Sequence, residues 1–168
     1  EKRHKFLGIN IFLRDDKKFE LDMREQILKA IKVFGEELKG CVSSPTRHQS
    51  FFVNEESEQL DDEKSKIFHT VTAMLLYLSK RDRPDIEALI KFLTMRVYMS
   101  DTDDWAKLRR GLIYLQNMIN EVRITGATSL TDLYTWIDIS YAVHNNMQKH
   151  TGGAISMGHG IVHGKSWK

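Results

Sequence analysis

Met74-Leu75-Leu76-Tyr77-Leu78-Ser79-Lys80-Arg81-Asp82-Arg83-Pro84-Asp85-Ile86 reads as the end of one helix and the start of the next. Ile67, Val71, Met74, Leu75 and Leu78 recur at helical spacing and predict a helix from about 62 to 79. The charged run Lys80 to Arg83 interrupts the stripe. Pro84 suits a first helical turn, where its missing N–H has no partner to lose. Ile86, Leu89, Ile90, Leu93 and Val97 then line a third helix. Helix, short break, helix is the grammar of a bundle, and the neighbouring sequence extends it.

Downstream, a further helix starts after Asp101 or Thr102 and carries Trp105, Leu108, Leu112, Leu115 and Ile119. Asp103-Asp104 fits its first turn, where carboxylates complement the helix dipole, better than it fits a metal pair. Upstream, Asp22 is a cap with Glu25 three residues later. Ile27, Ala30, Ile31, Phe34 and Leu38 form the face that follows. A polar stretch over 40–59, with Pro45 and several Ser, ends that helix. Four amphipathic helices with short connections imply a helical bundle.

Strands flank the bundle. Phe6 to Leu13 reads as one strand, Arg14 to Lys18 as a polar turn, and Phe19-Glu20-Leu21 as the returning arm of a hairpin. Gly8 marks a bulge or a close backbone approach. After Asn120, Val122–Ala127, Leu133–Val143, Thr151–Gly158 and Gly160–Trp167 are β-like. The predicted class is α+β: an N-terminal β-hairpin, a four-helix bundle, then the opening strands of a sheet.

The 168 residues, 41% hydrophobic and 29% charged, allow one domain or two small ones with a packed core. The net charge of +2 makes no general case for nucleic acid, so any such case rests on local clusters. These are Lys2-Arg3-His4-Lys5, Lys80-Arg81-Asp82-Arg83 and Arg109-Arg110. Cys41 is the single cysteine, so no intrachain disulfide can form, which fits a reducing compartment. No apolar run approaches the roughly 20 residues of a membrane span.

Two motifs fail on inspection. Gly160-Ile161-Val162-His163-Gly164-Lys165-Ser166 has three residues between its glycines where a phosphate loop needs four. His144, His150, His159 and His163 have no Cys nearby, and the stretch is glycine-rich, so a structural zinc site is disfavoured. Asp138 is different. It sits in Trp136-Ile137-Asp138-Ile139-Ser140-Tyr141-Ala142-Val143, a β-like run from which Asp is normally depleted. A lone strand carboxylate is either solvated or held for a purpose, typically a metal. Alternation places it on one face with Trp136 and Ser140.

Four segments, in order, resemble the copia-type retrotransposon polymerase family. His4-Lys5-Phe6-Leu7-Gly8-Ile9 is similar to the Phe-Leu-Gly primer-grip hairpin. Met74 to Leu78 followed by Arg83-Pro84-Asp85-Ile86 resembles a Leu-Leu-Tyr-Leu helix leading into Thr-Arg-Pro-Asp-Ile, with Asp82 where Thr is usual. Trp105 to Leu115 resembles a helix ending in Leu-Arg-Tyr-Leu, with Ile113 where Arg is common. Asp138 to Trp167 resembles the first ribonuclease H strands. Asp138-Ile139-Ser140 keeps one Asp of the usual two, His150-Thr151-Gly152-Gly153 stands at the Thr-Ser-Gly position, and Ser166-Trp167-Lys168 matches the Ser-Trp motif.

The resemblance implies a piece of a reverse transcriptase and ribonuclease H polyprotein. Residues 1–22 would be a primer-grip hairpin, 23–120 the thumb, and 121–168 the truncated start of the ribonuclease H domain. Phe6, Leu7 and Gly8 would position the primer end, and Lys80, Arg109 and Arg110 would meet phosphates. Asp138 would be the first catalytic carboxylate and a ligand for Mg²⁺ in the intact enzyme. One carboxylate holds Mg²⁺ weakly, because the ion demands near-ideal octahedral coordination. The remaining polymerase and ribonuclease H carboxylates would lie outside 1–168, so the fragment is expected to be inactive and metal-free. Implied partners are an RNA–DNA hybrid, template–primer duplex and the rest of the polyprotein, with no membrane. The implied location is intracellular: cytoplasm, virus-like particle or nucleus. The alternative is a non-catalytic helical interaction module with a β tail.

Overall fold

A computed structural model describes residues 2–140 and 150–167. The predicted Tyr141-Ala142-Val143 end of the Asp138 strand, His144 and Lys168 lie outside them. Strands are β1 (Arg3–Phe6), β2 (Ile9–Leu13), β3 (Phe19–Asp22), β4 (Arg123–Ala127), β5 (Tyr134–Ser140), β6 (His150–Ser156), β7 (Gly158–His159) and β8 (His163–Trp167). Helices are α1 (Arg24–Phe34), α2 (Asp62–Arg81), α3 (Glu87–Arg96) and α4 (Thr102–Asn117). The class is α+β. The chain divides into a helical unit, Arg24–Glu121, and a β unit formed by Glu1–Met23 with Val122–Lys168.

In the helical unit α1 packs on α2 and α4, and α3 packs on the same two helices. The predicted stripes supply much of the core: Ile27, Val71, Leu75, Leu78, Leu89, Ile90, Leu93, Leu108 and Leu112 are buried, whereas Ile31, Ile67, Met74 and Val97 are half-buried and Phe68 and Phe92, outside the stripes, are buried. Phe34 stacks on Trp105 with ring centroids 4.5 Å apart. Asp101 caps α4 by accepting from the Asp104 N–H at 2.8 Å, and the Asp104 carboxylate reaches back to the Asp101 N–H. Asp103 pairs with Lys107 one turn on, at 2.7 Å. This acidic run is therefore occupied by helix capping and ion pairing.

Several boundaries differ from the sequence reading; α4, for one, ends at Asn117, short of Ile119. First, α1 stops at Phe34 because Gly35 adopts φ +77°, the left-handed conformation that terminates helices, so Leu38 is not on its face. Asp22 belongs to β3. Second, the turn at Pro84–Ile86 is 3-10, and α3 begins only at Glu87. Third, Phe6–Leu13 is not one strand. Leu7 and Gly8 have φ of 50° and 78°, and Phe6 pairs directly with Ile9 across them. Two consecutive positive φ values make a tight two-residue hairpin turn, and Gly8 serves that turn rather than a bulge.

The polar segment between α1 and α2 is pinned to α4. The Val42 N–H donates to Asn117 Oδ1 at 2.9 Å, and Lys107 Nζ donates to the Phe52 carbonyl at 2.6 Å. The Asp103 N–H donates to Ser57 Oγ at 3.0 Å. Satisfying backbone groups in this way orders the loop, and Phe51 adds an edge-on contact with Phe92 of α3, ring centroids 6.0 Å apart.

The β unit holds two antiparallel sheets, ordered β1-β2-β3-β4-β7 and β5-β6-β8. The sequence reading set the N-terminal hairpin apart from the later strands. Instead β3 pairs with β4, Glu20 opposite Ile124, so both ends of the chain share a sheet. Gly160, at φ +64°, lies where a Cβ would stand 2.1 Å from the Ile124 carbonyl oxygen. The glycine that imitated a phosphate-loop residue is required for backbone clearance.

Candidate nucleic-acid interface

Six residues were expected to meet nucleic acid. Phe6 and Leu7 stand at the tip of the β1–β2 hairpin with 62% of their surface exposed. Leu7 and Gly8 supply the two positive φ values that turn the chain beneath them. In the neighbouring basic cluster, Lys2 pairs with Asp15, and the Arg3 guanidinium lies 5.3 Å from the Phe12 ring centroid.

The three cations of the helical unit are in different states. Lys80 near the end of α2 is bound by the buried Glu87 carboxylate. On α4, Arg109 donates to the Glu37 carbonyl at 3.0 Å, and its Nε lies 3.5 Å from Glu36 Oε2. Both are engaged within the fold. Arg110 has no carboxylate partner among the described residues, and its buried Nε lacks any hydrogen bond. Burial, and then the charge of Arg47, hold the Arg110 guanidinium below its ordinary value. Of the three, Arg110 is free to meet an external anion. Sequence inspection missed Arg47, which stands alone in a Ser- and Pro-containing loop with no basic neighbour at helical spacing.

Asp138 lies mid-strand in β5, opposite Gly152 of β6, with its side chain exposed. Among the described residues no group of three His, Cys, Asp or Glu could hold a metal ion. Asp138 by itself does not meet the octahedral demand of Mg²⁺, and no catalytic step is assigned to it within this chain. His150, His159 and His163 fall on β6, β7 and β8.

The Arg83-Pro84-Asp85-Ile86 motif has a structural role. Arg83 is almost fully buried and grips Asp85 through Nη2 at 2.7 Å and Nε at 3.1 Å. Its Nη1 donates to the Met118 carbonyl beyond α4 at 3.1 Å, and the Tyr114 hydroxyl donates to Asp85 at 2.8 Å. Burial pushes the Asp85 carboxyl upward, but the Arg83 hydrogen bonds and charge outweigh it and leave it below the usual range. The motif ties the α2–α3 junction to the end of α4. Asp82, where the resembled family has Thr, is buried and closes α2 through its N–H to the Leu78 carbonyl.

No family model matches the chain, and neither a curated protein nor a solved structure matches it. No described helix is long and apolar enough to cross a membrane.

Proposed function

We propose that this chain is part of a copia-type retroelement polymerase polyprotein, running from the end of a reverse-transcriptase palm through its thumb into a ribonuclease H domain. The observation that carries the reading is the order of four motifs and the elements on which they lie. Phe6-Leu7-Gly8 forms a hairpin tip, Met74–Leu78 lies within a helix, Trp105–Leu115 lies within α4, and Asp138 is mid-strand in an antiparallel sheet. In this reading residues 1–22, 23–120 and 121–168 serve as primer grip, thumb and opening ribonuclease H strands. The thumb holds template–primer duplex or RNA–DNA hybrid while the intact protein copies RNA into DNA and removes the RNA strand. Mg²⁺ belongs to the intact enzyme, where further carboxylates would join Asp138. The same reading implies an intracellular site of action.

A thumb holds a moving substrate through phosphates, which carry no sequence information. Purified chain is therefore expected to bind RNA–DNA hybrid without sequence preference, at dissociation constants of roughly 10⁻⁴–10⁻⁶ M near physiological salt. Affinity should fall as salt rises, because each neutralised phosphate releases counterions. Titrating labelled hybrids of two unrelated sequences at two salt concentrations checks this. Salt-independent binding would count against the thumb assignment.

One observation favours the alternative, a non-catalytic helical module with a β tail. Trp136, Ile137 and Ile139 of β5 are all more than half exposed, so apolar side chains stand uncovered on both faces of the strand. The flanking coding sequence separates the two readings. Tyr-Val-Asp-Asp upstream and a Glu-bearing helix downstream support the polymerase; their absence supports the module.

A further inference from the structure

We propose that Arg47 and Arg110 form an oxyanion site on one face of α4 that takes a phosphate group. The loop around residues 42–50 and the helix enclose an open pocket of about 470 Å³. Arg47, His48, Ser50, Asp103, Arg109 and Arg110 are among its lining residues.

The charges in this pocket are unevenly matched. Asp103 is paired with Lys107, and Arg109 is engaged with the Glu36 carboxylate. Neither Arg47 nor Arg110 has an acidic partner among the described residues, although α4 and the α1–α2 loop both carry acids. The Arg110 Nε is buried without a hydrogen bond. A guanidinium N–H buried without an acceptor is costly, and the half-buried Arg110 has no partner among the described residues to offset that cost. The charge felt at the Arg110 guanidinium is that of a second cation, Arg47. Two cations lining one pocket repel each other, and an anion between them would relieve that repulsion.

The loop holds Arg47 in place through its backbone. Its N–H donates to Ser50 Oγ at 2.6 Å, and its carbonyl accepts the Ser50 N–H at 3.0 Å. Ser44 orders the preceding turn through the Thr46 carbonyl at 3.1 Å. One guanidinium is thus carried by a clasped loop and the other by a helix. Planar guanidinium forks match the oxygens of a phosphate in paired hydrogen bonds, which a lone lysine cannot do. The site rests on this geometry. Assigning its phosphate to a nucleic-acid backbone rests on the proposed function.

The test uses the full chain, with inorganic phosphate and a short RNA–DNA hybrid as probes. Arg47→Ala removes an exposed side chain, and Arg110→Gln keeps a polar stem on the helix. Lys29→Ala, an exposed position on α1, is the control. Inorganic phosphate should raise the Tm of the parent and of Lys29→Ala in a dose-dependent way, since a ligand of the folded state stabilises it. It should not shift Arg47→Ala or Arg110→Gln, and in phosphate-free buffer Arg47→Ala, freed of the repulsion, should be at least as stable as the parent. Hybrid affinity of each arginine variant should fall about tenfold at low salt, with a salt slope smaller by about 1. Lost phosphate response with unchanged hybrid affinity would keep the site and overturn its nucleic-acid source, leaving a small phosphorylated molecule as ligand. An equal phosphate response in all proteins, or none in the parent, would overturn the site.

Discussion

Replacing Phe68 with Ala is expected to destabilise the helical unit by about 3–5 kcal/mol, the range for truncating a buried aromatic. Phe68 is 0% exposed in α2, so its removal leaves a cavity among the helices packed around it. Ile67, which the helical stripe had placed toward the core, is only partly buried, and Ile67→Ala should cost less than half as much. Urea denaturation followed by helical circular dichroism would rank the two. A larger loss for Ile67→Ala would mean that α2 is rotated from the orientation described.

Asp85→Ala should cost about 3 kcal/mol. Breaking a buried ion pair costs roughly 3–5 kcal/mol because the remaining charge stays buried, and partial exposure of Asp85 places it at the lower end. The buried Arg83 would lose its carboxylate and Tyr114 its acceptor. For a unit of roughly 100 residues, each kcal/mol corresponds to about 4–8 °C in Tm. The same pair sets a pH dependence. The folded-state pKa of Asp85 is depressed, so its contribution is complete above the unfolded value near pH 4 and is lost as pH falls through the folded value. Asp104 acts in the opposite sense. Burial raises its carboxyl, the hydrogen bond from Arg96 opposes this, and the Asp101 charge adds to the rise. Its contribution therefore falls as pH rises through the window above about pH 4. Asp85→Asn should flatten the acid limb of a stability profile below about pH 4. A profile as steep as the parent's would remove Asp85 from the account.

The helices were legible because a 3.6-residue period is local. Every buried stripe residue from Val71 to Leu112 can be read without knowing what it packs against. The misses have non-local or conformational causes. A two-residue turn at Leu7-Gly8 needs positive φ at a leucine, which composition argues against. The pairing of β3 with β4 joins distant segments and leaves no periodic trace. Among the candidate site residues, basic clusters were visible but their partners were not. Arg109 meets the Glu37 carbonyl 72 residues away, and that contact separates an engaged cation from the one beside it. Arg47 was hidden because only the fold brings it into the pocket that Arg110 also lines, and its own neighbours in sequence give no sign of it. Asp138 stood out because a carboxylate in a β-rich run conflicts with local propensity.

The most direct measurement concerns Asp138. A protein extended through the coding sequence on both sides should be purified with and without Asp138→Asn, then assayed for cleavage of RNA–DNA hybrid in Mg²⁺. The account predicts cleavage by the parent and only background cleavage by the Asp138→Asn protein, with hybrid binding retained by both. Equal cleavage by the two proteins would contradict it.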